Sequence, residues 1–193
     1  MSAPDPIERF AELFERAGRS APFDPTACAL ATADAAGAPS VRTVLLKGFD
    51  AGGFRFFTNY ESRKGRQLAA NPAAAICFYW PWIEEQVRVE GEVERLSSEE
   101  SDAYFATREL GSQLGAWASA QSRPLDSRFA LLRRVVTTQA RFLGRRIARP
   151  PFWGGYRLRA RRIEFWRSRP NRLHERMLYT RDESGWRSDL LQP

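Results

Sequence analysis

The sequence predicts a predominantly β domain, an antiparallel barrel or sandwich carrying peripheral helices in an α+β arrangement. Three observations lead there. Short apolar or alternating runs recur along the chain, and turn residues separate several of them at hairpin spacing. No strand–helix–strand rhythm or Gly-rich dinucleotide fingerprint accompanies them. With 193 residues, 43% hydrophobic and 27% charged, the chain reads as one globular domain, 1–193, able to bury its own core. Residues 1–23 form a helix and connector, and 150–193 the C-terminal strands.

The elements follow in order. Asp5 to Ala17 places Ile7, Phe10, Leu13 and Phe14 on one helical face, with Pro6 in the first turn. Pro22 and Asp24-Pro25 make a connector. Ala27 to Ala33 and Ser40 to Lys47 are strands joined by the turn Asp34 to Pro39, a predicted hairpin. Asp50 to Gly53 turns into the strand Phe54 to Thr58. Ser62 then caps a helix that Asn71-Pro72 ends. Ala73 to Trp80 is a near-continuous apolar run, hence a buried strand.

Gln86 to Leu96 alternates, with Val87, Val89 and Val93 opposite Arg88, Glu90, Glu92 and Glu94. Ser97-Ser98 opens a helix to about Thr107, and a shorter one runs from Gln113 to Ala118. Leu125 to Leu143 is an amphipathic, Arg-rich helix. Tyr156 to Trp166 is a strand whose apolar parity switches near Arg161-Arg162, which predicts a bulge. A last hairpin joins Leu173–Thr180 to Trp186–Leu191 through Asp182–Gly185.

Composition excludes several classes. No apolar run approaches the ~20 residues of a membrane helix. The first residues form an acidic helical pattern, not a signal peptide. Cys28 and Cys77 sit in strand-like apolar runs and read as buried, reduced thiols of a cytoplasmic protein, with no disulfide framework or metal cluster. The net charge of +7 raises nucleic acid as a partner. However, residues 123–169 alone carry a net +12, leaving −5 elsewhere. A solvated face in an Arg-preferring protein accounts for that better than a nucleic-acid groove, and no nucleic-acid motif is present. Against 28 arginines the chain has two lysines, Lys47 and Lys64, as if these sites want a compact ammonium.

Four groups of residues could carry chemistry. Thr58 to Lys64 brings hydroxyls, Arg63 and Lys64 to the first turn of a helix. Cations are unfavourable there unless an anion binds, which points to a phosphate site. Arg42 and Lys47 bracket an apolar strand and, taken alone, read as charges snorkelling outward. Tyr104, Arg108 and Ser112 are spaced by four, the first two on a shared helix face. Spacing alone leaves a second phosphate site and solvent-facing decoration equally open. Arg172, His174 and Arg176, in a strand, would point to one face, a poor arrangement for stability and a sensible one for an anionic ligand.

The ordered set RTVLLKGF, GFRFFTNYESRKGRQL, FYW, QVRVEGEVERL, SQLGAWAS, FWGGYRL, IEFW and RLHER resembles the pyridoxamine 5′-phosphate oxidases, from about Asp24 to the C-terminal Leu-Gln-Pro. The resemblance implies an FMN-binding split β-barrel and a homodimer with FMN at the interface. It also implies oxidation of pyridoxamine and pyridoxine 5′-phosphates to pyridoxal 5′-phosphate, with O2 reduced to peroxide. Composition and motifs give no reason to expect a metal, nucleic acid or membrane. By motif, FMN falls to Arg42, Thr43, Val44, Leu45, Leu46, Lys47, Phe57, Thr58, Arg63 and Lys64. Gln86, Gln121, Ser122, Trp166 and Arg176 complete that set. The substrate phosphate falls to Lys47, Tyr104, Arg108 and Ser112, and its ring to Arg172 and His174, the expected catalytic pair. Residues 150–193 would complete both sites. Two departures stand out. Only Met1 to Pro4 precede the first helix, where the family often has a basic arm, and Glu109-Leu110-Gly111 replaces a Pro-containing stretch. Two other possibilities stay open: a split-barrel flavoprotein without this activity, including the phenazine-type relatives, and a nucleic-acid-binding protein using the Arg-rich helix.

Overall fold

Asp5 caps the first helix, α1 (Pro6–Arg19), accepting from the Ile7 N–H at 2.8 Å, with Pro6 in the first turn as expected. A computed structural model describes residues 5–193, so the expectation about an upstream arm lies outside the described residues. Phe10 of α1 is fully buried and meets the rings of Phe49, Phe54 and Phe78 at 4.8–5.1 Å. These edge-on and tilted contacts fasten the helix to the core.

The strands are β1 (Ala27–Ala33), β2 (Pro39–Leu45), β3 (Gly48–Asp50), β4 (Gly53–Asn59), β5 (Ala73–Trp80) and β6 (Glu85–Arg95). After them come β7 (Trp153–Arg167), β8 (Glu175–Asp182) and β9 (Gly185–Leu191). All pair antiparallel, in the order β2-β1-β5-β6-β7-β4-β3, with β8 also on β7 and β9 on β8. Among the described residues there are nine strands, one more than the eight runs named from the sequence. The three-residue β3 is too short to show any periodicity.

Strand β7 explains how the sheet splits. Its first part, Trp153 to Leu158, pairs with β4, and its last part, Arg162 to Arg167, pairs with β8. Between them the register against β6 slips from Glu90↔Arg162 to Gly91↔Ala160, leaving Arg161 unpaired. This is the bulge that the parity switch predicts, and it lies where β7 changes neighbours. A Cβ on Gly91 would collide with the Arg159 carbonyl oxygen, so glycine is required at the slip.

The alternation of β6 holds: Val87 and Val89 are fully buried, while Glu90, Glu92 and Glu94 face outward toward Arg162, Arg161 and Arg159 at 3.6, 2.8 and 2.7 Å. Part of the basic excess is therefore complemented across neighbouring strands. Strand β5 corrects an expectation. Ile76, Phe78 and Trp80 are buried, but Cys77 is half-buried and Tyr79 is 58% exposed. The run is apolar on both faces, yet only one of them meets the core of its own chain. Cys28 is buried as expected, and burial pushes its thiol up to about 12, with Cys77 adding to the shift.

Four further helices complete the fold: α2 (Arg63–Ala70), α3 (Ser98–Ala106), α4 (Leu110–Ala118) and α5 (Arg128–Arg141). Ser97 and Glu100 form a capping box on α3. Helix α4 starts three residues before its expected position. Helix α5 buries no residue, and Phe129, Leu132 and Val136 along it are 61–75% exposed. A second small core of Phe105, Leu114, Ile147 and Trp153 ties α3 and α4 to the start of β7. No helix of the described residues is long and apolar enough to cross a membrane.

Candidate functional site

The β4–α2 junction builds the centre of the site. Ser62 is fully buried and accepts from the Gly65 N–H at 3.2 Å, closing the first turn of α2. A side chain on Gly65 would run into the backbone of Tyr60 and Asn59, so glycine lets this turn lie against the loop before it. That turn carries Arg63 and Lys64 and no acidic residue. Helix N-termini ordinarily favour the opposite charge.

Beside it is a cavity of about 440 Å³. Thr43, Val44, Leu45 and Lys47 reach it from the end of β2, Phe57 and Thr58 from β4, and Lys64 from α2. Tyr104, Arg108, Ser112 and Gln121 enclose the other side. Three cations line this space, and no Asp or Glu does. Lys64 is almost fully buried; its Nζ donates to Thr58 Oγ1 at 3.1 Å and Gln121 Oε1 at 3.4 Å. Burial, then the neighbouring Arg42 charge, lowers its pKa.

The second cationic end is built on aromatic rings. Phe57 and Tyr104 stack at 3.9 Å, and both lie nearly parallel to Trp153. The Arg108 guanidinium sits 4.6 Å over the Trp153 ring, and its Nη1 is buried without a hydrogen-bond partner. Burial lowers the Arg108 pKa and raises that of Tyr104, which Arg108 partly offsets. A buried donor without a partner is costly in the protein alone, and an anion removes the cost.

Several expectations need correction. Tyr104 and Arg108 do not share a helix, because α3 ends at Ala106, and Ser112 belongs to α4. The three still converge on the cavity. Lys47 lies past the end of β2, which stops at Leu45 and not at Lys47; its N–H donates to the Arg55 carbonyl at 2.8 Å. These are corrections of local structure only. Of the other residues that the motifs assign to FMN, Leu46 is a core residue, Arg42 points to the opposite side of β2 from Thr43, and Arg63 and Ser122 lie outside the lining of this cavity.

Arg172 and His174 are not in a strand. Pro170 opens a short 3-10 turn, Asn171 and Arg172 take left-handed φ values of 57° and 61°, and β8 begins only at Glu175. The single face expected for Arg172, His174 and Arg176 therefore does not exist. His174 instead places its ring 4.6 Å from Trp166, and its Nδ1 accepts from the Arg169 N–H at 3.2 Å. Gln86 is opposite Trp166 across β6 and β7, and Trp166 is opposite Arg176 across β7 and β8. Arg176 is anchored by the buried Glu164 at 2.8 Å, which raises its pKa. None of these residues lines the cavity. The predicted residues thus fall into two separate groups on one chain.

Asn59, Gly115, Ala116, Ser119 and Trp153 also line the cavity and were missed. Trp153 carried a signal in its Trp-Gly-Gly-Tyr motif. Side chains on Gly154 or Gly155 would strike Tyr60, Leu96 or Phe57, so both glycines let β7 approach the site walls. Gly115 and Ala116 have no chemical signature in sequence.

A split antiparallel barrel with this strand order is the fold of the FMN-binding split-barrel proteins. A protein of this kind from Nostoc punctiforme, related to pyridoxamine 5′-phosphate oxidase and described as FMN binding, shares the fold with TM-score 0.77 and 22% identity, covering 99% of this chain and all of that one. The chain belongs to the pyridoxamine 5′-phosphate oxidase family: residues 14–142 match the family's pyridoxamine 5′-phosphate oxidase model, and 153–193 its C-terminal dimerisation region.

The pyridoxine/pyridoxamine 5′-phosphate oxidase of Rubrobacter xylanophilus is 60% identical, over 98% of this chain and 88% of the relative. That of Anaeromyxobacter dehalogenans is 59% identical over 100% and 97%. The crystal structure of PhzG from Burkholderia lata, complexed with tetrahydrophenazine-1-carboxylic acid, superposes with TM-score 0.93 at 34% identity, covering 99% of this chain and 94% of that one.

Proposed function

We propose that this chain is an FMN-dependent oxidase converting pyridoxamine 5′-phosphate and pyridoxine 5′-phosphate to pyridoxal 5′-phosphate. Pyridoxamine 5′-phosphate, O2 and water give the aldehyde, ammonia and H2O2. Pyridoxine 5′-phosphate and O2 give the aldehyde and H2O2. The observation that carries this reading is the cavity lined by Lys47, Lys64 and Arg108 without a carboxylate, where Arg108 Nη1 is buried and unpartnered. Its relatives at 60% and 59% identity bear the oxidase name, against 34% for PhzG, which favours the vitamin B6 substrate over a phenazine.

The residues fit a flavin mononucleotide. Lys64, Arg63 and the first turn of α2, with Arg42 nearby, would hold its phosphate; Thr43 to Lys47, Phe57, Thr58, Gln121 and Ser122 would hold the rest. When bound, FMN supplies the two-electron acceptor that connects substrate and O2. Lys47, Tyr104, Arg108 and Ser112 grip the substrate phosphate, so binding energy remote from the reacting carbon fixes its geometry. Phe57, Tyr104 and Trp153 exclude water around Arg108 and strengthen its hold.

Gln86, Trp166, Arg176, Arg172 and His174 belong to the same catalytic centre but come from a second copy of the chain. The apolar outer face of β5 and the match to a dimerisation region support a homodimer. In this arrangement Arg172 and His174 orient the substrate ring. The Nδ1 of His174 already accepts from the Arg169 N–H, which leaves Nε2 to meet the substrate. The chain acts as one domain, 1–193, and its two free thiols suit a cytoplasmic location.

Aerobic turnover of both phosphorylated vitamers, with peroxide detection, tests the reading. Purified protein is expected to be yellow, to form peroxide with either compound, and to be nearly inactive on unphosphorylated pyridoxamine. Yellow protein without turnover defeats the oxidase reading. Colourless protein that FMN cannot reconstitute defeats flavin binding as well.

A further inference from the structure

Arg42 does not line the cavity, yet its environment is unusual for a half-buried arginine. Its Nη1 donates to Thr32 Oγ1 at 2.5 Å and to the Leu30 carbonyl at 3.2 Å. Its Nη2 donates to Ser40 Oγ at 2.5 Å and to Gln67 Oε1 at 3.3 Å. That one amide oxygen also accepts from Thr32 Oγ1 and Ser40 Oγ, both at 2.7 Å. The Arg42 N–H fixes the amide orientation, since a guanidinium only donates and an NH2 group in that place could not accept from it, while either hydroxyl could serve both ways.

Every one of these partners is neutral. A buried arginine ordinarily finds a carboxylate, because an unpaired buried charge is costly. Here Arg63 and Lys64 are its charged neighbours, and each of the three cations lacks an acidic hydrogen-bond partner among the described residues. Gln67 is three residues beyond Lys64, and both side chains are buried. On a helix that spacing puts them on one side.

We propose that Gln67, with Thr32 and Ser40, is a charge-neutral clamp that positions Arg42 for the FMN phosphate. The clamp orients the guanidinium with hydroxyl and amide dipoles, which satisfy its N–H groups without cancelling its charge. A carboxylate in the place of the Gln67 amide would hold Arg42 as well and leave less positive potential for the phosphate. This inference rests on the FMN reading given above.

The test uses FMN and riboflavin titrated into apoprotein, followed by quenching of flavin fluorescence, with the melting temperature of each apoprotein. Gln67→Glu is expected to fold with an unchanged or raised melting temperature, because it gains an ion pair with Arg42. Its FMN Kd should rise about tenfold or more, the size of one charge-assisted contact. Riboflavin, which lacks the phosphate, should bind within twofold of wild type. Thr32→Val, which removes one hydroxyl partner without adding charge, should raise the FMN Kd about threefold and leave riboflavin unchanged. The clamp is overturned if both variants bind FMN as wild type does, or if FMN and riboflavin weaken equally. Wild-type protein that binds riboflavin and FMN with the same affinity overturns the phosphate site itself, and the clamp with it.

Discussion

Lys64 directs its ammonium at Thr58 Oγ1, 3.1 Å away, from a nearly fully buried position. A hydroxyl orients the charge but does not neutralise it. The folded protein therefore carries an electrostatic cost that an anionic ligand relieves.

Replacing Lys64 with Met should weaken FMN binding while leaving the apoprotein at least as stable as wild type near neutral pH. The sign follows from the lowered lysine pKa. Between that value and the ordinary 10.5, the unfolded chain binds more protons than the folded one, so wild-type stability rises with pH. The variant lacks this rise, and its advantage should shrink toward pH 10.5. Urea unfolding of both apoproteins across this range checks it.

Arg108 has its own signature. Arg108→Met should raise KM for pyridoxamine 5′-phosphate about 10- to 100-fold, corresponding to ~1.5–3 kcal/mol for a hydrogen bond to a charged group. FMN affinity should stay within twofold. Steady-state kinetics and flavin titration on the same preparation separate the two; a parallel loss of FMN would assign Arg108 elsewhere.

The two groups of site residues predict complementation between subunits. Lys64→Met and Trp166→Ala homodimers should each be poorly active. Unfolded together and refolded, half of the dimers would be mixed, each with one intact site. Activity should return to about a quarter of wild type, since random pairing of two-fold dimers sets that ceiling. Recovery no greater than the two variants give separately would mean that each site belongs to one chain.

Cys28 supplies a pH effect of opposite sign. Its thiol is raised to about 12 from an ordinary 9.0, so above pH 9 the unfolded chain loses its proton first. Stability should then fall by about 1.4 kcal/mol per pH unit. In Cys28→Ala this decline should be absent, whatever the cost of the cavity it leaves, as chemical denaturation at pH 8 and 10 would reveal.

Gly91→Ala should destabilise the protein by about 2 kcal/mol or more, because the new Cβ meets the Arg159 carbonyl at the bulge. Thermal melting reads this directly.

How much of this was visible in the sequence depends on the range of the forces involved. Elements bounded by local chemistry were legible: Ser62 and Asn71-Pro72 bracket α2, and the parity switch at Arg161-Arg162 marks the bulge in β7. Helix α4 has no side-chain cap on Glu109, so its start carried no signal. The Arg172–His174–Arg176 face failed because the turn at Pro170 overrides strand periodicity over those residues. Tyr104, Arg108 and Ser112 converge for a reason other than their spacing, namely the packing of α3 and α4 on Trp153. The division of the predicted residues into two groups is a tertiary property. No local pattern encodes it.

The row Gln86, Trp166 and Arg176 crosses three adjacent strands in fixed register. Its span, about 10 Å from two interstrand steps, is held by main-chain hydrogen bonds that do not depend on side-chain identity. Substitutions can therefore alter the chemistry along the row without altering where its positions lie. This separation of geometry from chemistry makes the scaffold evolvable: a relative seen with a phenazine ligand keeps the same backbone at only 34% identity.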